Sequence, residues 1–180
     1  MKILNLNTHS LIEQDYEKKC EIFVKKILEI KPDFITMQEV NQGIFSPTQK
    51  FTPVTFKNCG KFPLRENNHA LKIYNMLKNN DLEYNFTWCG FKVGYKKFQE
   101  GLAIFSLSSI DDAKSFYLSK SRNHFDWKVR KALVIKSGEI SVATVHTGWW
   151  DDPDEPLKEQ LDSLFDGLKN HENLILTGDF

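Results

Sequence analysis

The chain has 180 residues, 41% apolar and 13% aromatic, enough for one globular domain with a buried core and too few for two of ordinary size. Its 24 Lys and Arg balance 24 Asp and Glu, so the net field does not favour a polyanion, and nucleic acid is not an expected partner. Met1 and Lys2 lead straight into Ile3-Leu4-Asn5-Leu6-Asn7 with no signal-peptide core, and no apolar run nears the ~20 residues of a membrane span; the expectation is a cytoplasmic protein without a membrane partner.

Residues 2 to 7 read as a short buried strand. Tyr16, Cys20, Phe23, Val24, Ile27 and Leu28 then recur at helical spacing, and Pro32 stops the helix. Asp33 to Met37 reads as a second strand, ending at Gln38-Glu39, so the opening is β-α-β with parallel strands. From Asn41 to Arg65 the chain carries Pro47, Pro53, Pro63, Gly43 and Gly60 without periodicity, which predicts a long loop at the edge of a site, a candidate lid. A helix is predicted from Asn68 to Asn79 with Ala70, Ile73, Tyr74 and Leu77 inward, followed by strands over Tyr84 to Trp88, Leu102 to Phe105, Ala132 to Ile135 and Ile140 to Val145. Lys136-Ser137-Gly138-Glu139 is short enough to make the last two an antiparallel hairpin, so the sheet is mixed. Pro156 opens a third helix with Leu157, Leu161, Leu164, Phe165 and Leu168 on one face, and Leu174 to Thr177 forms a last strand before Gly178-Asp179-Phe180. Cys20, Cys59 and Cys89 show neither paired nor metal-ligand spacing and read as reduced thiols.

Four polar groups directly follow apolar strand-like runs: Asn7, Glu39, His146 and Asp179. In α/β sheets ligands gather beyond the carboxyl ends of strands, so these distant residues are expected to converge. A hard divalent ion takes oxygen donors, usually one or two carboxylates with water and phosphate completing the shell, and Glu39, Asp179 and the amide oxygen of Asn7 suit it. Taken singly, a polar residue ending a strand is ordinarily a turn or cap, and a lone histidine there a structural hydrogen-bonding group. Arg130 precedes a strand and its guanidinium can fork onto a phosphate, or belong to a solvated basic cluster with Lys128 and Lys131. Glu100 either reaches the site or lies on the surface at a strand start. Trp149 and Trp150, followed by Asp151 and Asp152, suit a sugar, indole faces stacking on C–H groups and carboxylates accepting from hydroxyls; alternatively both indoles are buried packing residues.

The runs Leu4-Asn5-Leu6-Asn7, Asp33 to Val40 (DFITMQEV), Glu100 to Ser106 (EGLAIFS), Val142 to Thr147 (VATVHT) and Leu174 to Phe180 (LILTGDF) resemble, in order, successive motifs of the endonuclease/exonuclease/phosphatase superfamily. The resemblance spans the chain, and five ordered motifs are far more specific than one. It implies an α/β fold, a four-layer, deoxyribonuclease-like mixed-sheet sandwich, of which residues 1–180 are the N-terminal portion of a single domain, incomplete at the C-terminus. It also implies a metal-dependent phosphoester hydrolase using Mg2+, with Mn2+ as a substitute. Glu39 would be the principal metal ligand and Asn7 a supporting one. His146 would donate to a nonbridging phosphate oxygen, and Asp179 would orient or activate water.

His146-Thr147-Gly148-Trp149-Trp150, Val93-Gly94-Tyr95 and Glu100 to Ile104 look especially like the bacterial maltose 6'-phosphate phosphatases of that superfamily, which implies a small phosphorylated sugar as substrate, bound by Arg130, Trp149, Trp150 and Glu100. The alternatives are a nuclease or sphingomyelinase-like phosphodiesterase, which needs a basic groove or an apolar docking surface, and a noncatalytic binding domain of the same fold. Lys92, Lys96, Lys97, Lys128, Arg130 and Lys131 are the candidates for such a basic patch. The family's Gly-Asp-Phe motif continues with Asn, and later segments add an Asp and an Asp-His pair. None of these has a counterpart among the 180 residues, so the chain alone is expected to be inactive or nearly so.

Overall fold

A computed structural model describes all 180 residues. Eight strands and three α-helices occur in the order β1 (Ile3–Asn7), α1 (Tyr16–Ile30), β2 (Phe34–Gly43), α2 (His69–Lys78), β3 (Asn85–Gly94), β4 (Phe98–Ser106), β5 (Asp112–Tyr117), β6 (Lys131–Ser137), β7 (Ile140–His146), α3 (Leu157–Leu168) and β8 (Leu174–Asp179), with a 3-10 turn at Ser10–Ile12. They form two four-stranded mixed sheets, β1-β2-β4-β3 and β5-β6-β7-β8. In each, one parallel pair, β1 with β2 and β7 with β8, lies beside antiparallel strands. A helix joins each parallel pair, as such crossovers require.

Side-chain alternation along the strands stacks four layers. On β2, Ile35 and Met37 join Val24 and Ile27 of α1 and Ile73 and Leu77 of α2 in one core. Phe34, on the opposite face, packs between the sheets with Leu102, Ile104, Leu133 and Val142. Ala143 and Val145 of β7 face Leu164 and Leu168 of α3 in a third core. The order is helices, sheet, sheet, helix, the mixed α/β sandwich expected.

Several local expectations change. β2 does not stop at Glu39 but runs to Gly43, because β4 extends to Phe98 and supplies ladder partners. The remaining loop, 44–68, folds on itself where Thr48 bridges Arg65 and runs beside β3 where Phe56 bridges Phe86. β5 was not anticipated; its Asp-Ala-Lys-Ser start has no apolar run to mark it. Phe165 is exposed, not on the buried face of α3. Buried Gln160 occupies that face instead, its amide bonding Gly148 N and Glu155 O. No helix is long and apolar enough to cross a membrane.

Candidate active site

The inter-sheet face changes character along the strands. On β2 the inward positions run Phe34, Thr36, Gln38, and on β7 Val142, Thr144, His146, apolar at one end and polar at the carboxyl end. The polar layer is knitted across both sheets. Asn5 Oδ1 accepts from Thr36 Oγ1 and Gln38 Nε2, both at 2.9 Å. Gln38 Nε2 also reaches Thr144 Oγ1 at 2.7 Å, and Thr177 Oγ1 donates to Thr36 Oγ1 at 2.9 Å. Buried side-chain hydrogen bonds of this kind fix one relative placement of the sheets, because any slip leaves polar groups unpaired. Groups from separate strands therefore meet above this floor.

Glu39 is aimed by a bulge. Between Met37 and Val40 the register against β4 slips by one residue, and Glu39 takes φ 53°, a left-handed conformation that costs a non-glycine residue roughly 1–2 kcal/mol. An unbroken strand would send Glu39 after Ile35 and Met37 toward the helices; the extra residue turns it to the inter-sheet side. The distortion is held from outside: Ser10 Oγ donates to Glu39 O at 2.8 Å and accepts from Asn41 N at 3.0 Å, while Thr8 Oγ1 donates to Gln38 O at 2.8 Å.

Three of the expected residues meet directly. Asn7 Nδ2 donates to Glu39 Oε1 at 2.9 Å and to Asp179 Oδ2 at 2.8 Å. Asp179 comes from β8, where Gly178 lies opposite Val145 at φ 154°, and a Cβ there would sit 2.5 Å from Val145 O. Only glycine lets β8 approach this closely. His146 is half-buried, with Nε2 4.0 Å from Asp179 Oδ2 and Nδ1 4.0 Å from Glu100 Oε1. Burial, reinforced by the Arg130 charge, lowers its pKa, so the imidazole is neutral at pH 7.

Glu100 lies in the site wall, not on the surface. It is buried and ion-paired with Lys92 at 2.9 Å. A second register slip, between Gly90 and Lys92 on β3, sets these two residues opposite each other. Arg130 is likewise buried, its Nη1 bonding the carbonyls of Trp127 at 2.8 Å and Val129 at 3.0 Å, while Nε has no partner. Arg130 and Lys131 are thus not a solvated cluster, and Lys128 is held by Asp152 and Asp154. Trp149 and Trp150 are 68% and 76% exposed, which removes the packing alternative. Asp152 is engaged by Lys128 and by the backbone of Asp154 and Glu155, so of the two adjacent carboxylates only Asp151 stays uncommitted.

The donor set fits a hard cation. Glu39 and Asp179 present oxygens to one amide nitrogen, and neither carboxylate has a Lys or Arg nitrogen within 4.0 Å. No group of three or more His, Cys, Asp or Glu side chains forms a cage, so two carboxylates with water and phosphate is the composition available, the one magnesium favours. The amide of Asn7 is turned opposite to expectation: its oxygen accepts from His9 N at 3.1 Å and its nitrogen faces the carboxylates. A half-turn about the last torsion exchanges the two atoms. The supports at Thr8, Ser10 and Lys92 were not foreseen; nothing in spacing marks a serine thirty residues away as the strut of a bulge.

No protein-family model matches the chain, and none of the curated proteins matches its sequence. Solved structures do. An endonuclease/exonuclease/phosphatase family protein from Leptotrichia buccalis C-1013-b superposes with TM-score 0.84 at 24% identity, over all of this chain and 66% of that one. TDP2 of D. rerio, complexed with single strand DNA product, gives 0.62 at 13% identity over 99% and 60%. The 3'-5' exonuclease NExo from Neisseria meningitidis gives 0.54 at 19% over 100% and 57%. The chain therefore has the endonuclease/exonuclease/phosphatase fold, and it spans less than two thirds of the length of these structures.

Proposed function

We propose that these residues form the core of a divalent-metal-dependent phosphoester hydrolase acting on a small phosphorylated sugar. The observation that carries the reading is the meeting of Asn7, Glu39 and Asp179, from three strands of two sheets, beside His146. Glu39 and Asp179, with Asn7 supporting, would hold magnesium or manganese, which when bound neutralises charge on phosphate oxygens. Neutral His146 carries one N–H, which would donate from Nε2 to a nonbridging oxygen; Nδ1, 4.0 Å from Glu100 Oε1, has no hydrogen-bond partner. Buried Arg130 adds fixed positive charge, which needs little reorganisation as charge develops. Asp179, 47% exposed at the side chain, would orient the attacking water.

The sugar-phosphate assignment, of the maltose 6'-phosphate phosphatase kind, is supported by exposed Trp149 and Trp150 just beyond His146. It is supported also by the state of the basic residues. A nuclease groove needs solvated cations along a backbone track; of the candidates, Lys92 is paired with Glu100 and Lys128 with two aspartates, which leaves exposed Lys96 and Lys97. The test is phosphate release from maltose 6'-phosphate, other sugar phosphates and DNA by the protein bearing these residues, with and without Mg2+ and chelator, beside Glu39→Gln. Sugar-phosphate turnover that needs metal and Glu39 is expected. DNA cleavage without sugar-phosphate turnover overturns the substrate, and absence of all hydrolysis favours a binding domain.

A further inference from the structure

The rim of the site carries an aromatic corner that includes a residue no motif marks. Trp127, in the segment leading to β6, is 49% exposed and lies against Trp149, with ring centroids 5.3 Å apart and planes at 60°. Two exposed indoles meeting at an angle add little to the fold; they leave two flat apolar faces open to solvent.

The two segments that carry the corner are held together by hydrogen bonds. Lys128 Nζ bonds Asp152 at 2.9 Å and Asp154 at 2.7 Å, and the Glu155 carboxylate accepts from the backbone N–H of Lys120 and Ser121 at 2.8 and 2.7 Å. Gln160 Oε1 accepts from Gly148 N at 2.9 Å. These bonds tie the segment carrying Trp127 to the one carrying Trp149. Arg130 Nη1, bonded to the Trp127 carbonyl, joins the corner to the site wall. The crevice beneath the indoles has a volume of only about 10 Å³, so a ligand rests on the outer ring faces.

The local charge selects what can rest there. Asp151, Asp152, Asp154 and Glu155 crowd five residues against two nearby cations, Lys128, which is spent on two of them, and buried Arg130. An acidic rim repels the backbone of a polynucleotide or an anionic headgroup and tolerates a neutral polyhydroxyl body. We infer that Trp127 and Trp149 form a subsite for an uncharged sugar ring, the unit of the substrate that does not bear the phosphate. The substrate context rests on the reading of the site as a sugar-phosphate hydrolase.

Calorimetric titration of the chain with unphosphorylated maltose and maltotriose, against glucose, tests the subsite without requiring turnover. Saturable binding of the oligosaccharides is expected, weakened about tenfold by Trp127→Ala and by Trp149→Ala, with the folded circular dichroism spectrum kept. No saturable heat with either oligosaccharide, or equal affinity in parent and both variants, overturns the inference. Oligosaccharide binding by a protein that hydrolyses no sugar phosphate would sink the catalytic reading and leave the corner standing. Where turnover is present, the same variants should raise KM for maltose 6'-phosphate more than KM for glucose 6-phosphate; an equal rise for both substrates overturns the assignment.

Discussion

Ser10 touches no expected substrate, yet Ser10→Ala should damage both stability and metal response. Its hydroxyl is buried, accepts from Asn41 N at 3.0 Å and donates to Glu39 O at 2.8 Å. Alanine removes both bonds and strands an amide that is itself buried, at a cost of about 1–3 kcal/mol. For a chain of this length each kcal/mol moves the melting temperature by roughly 2–4 °C, so a mid-range loss is a fall of about 4–8 °C. The second effect is on aim. Without the strut the backbone at Glu39 relaxes from φ 53° toward an ordinary strand, which rotates the carboxylate away from Asp179. Metal stabilises a protein by RT ln(1 + [L]/Kd), so tenfold weaker magnesium binding takes roughly 1.4 kcal/mol off the magnesium-induced gain. Thermal melts followed by circular dichroism in chelator, and again in magnesium, read both quantities. A variant melting with the parent in chelator, or keeping the parent's full magnesium shift, would refute the account of the bulge.

Three further outcomes follow from the same contacts. Glu39→Gln should melt within about 2–4 °C of the parent in chelator, since the repulsion from Asp179 that it relieves is offset by lost attraction to Arg130 and Lys92; the magnesium-dependent rise should vanish, and its survival would exclude Glu39 as a ligand. Burial pushes the pKa of His69 down to about 3, whereas the unfolded chain protonates near 6.5. The unfolded state therefore gains the proton first, and stability is full above about pH 6.5 and declines toward pH 3, by up to about 1.4 kcal/mol per pH unit. Urea unfolding at neutral and acid pH should show a shallower decline in His69→Gln, and parallel profiles would count against this source of acid sensitivity. Gly101→Ala would drive a Cβ against Cys89 O and to 2.7 Å from Trp88 Nε1, disturbing the Trp88 bond to Val40 O. A loss of about 1–3 kcal/mol is expected, and an unchanged melting temperature would show that β3 and β4 can separate at no cost.

The helices were legible because their signals are local. Pro32 breaks the chain after the stripe from Tyr16 to Leu28, and Asn68 sits where its side chain caps α2 through Leu71 N. The hairpin over Lys136 to Glu139 was legible for the same reason, as its partners are near neighbours. β5 escaped because an edge strand with exposed Asp112 and Lys114 needs no apolar run. Phe165 was misplaced because helical periodicity does not say that a glutamine, bonded to a loop, will take an inward position.

The list of candidate chemical groups was present in the one-dimensional chain: Asn7, Glu39, His146 and Asp179 each follow an apolar strand, and that pattern depends only on neighbours. Their mutual geometry was not. It is decided by two parallel pairings, by the polar layer from Asn5 to Thr177 that fixes one sheet over the other, and by a bulge whose strut lies in another segment. The pairing of Lys92 with Glu100 and the placing of Trp127 against Trp149 belong to the same category. Residue type is a property of the chain, but distance and charge environment are properties of contacts between remote segments, and those exist only once both sheets have packed.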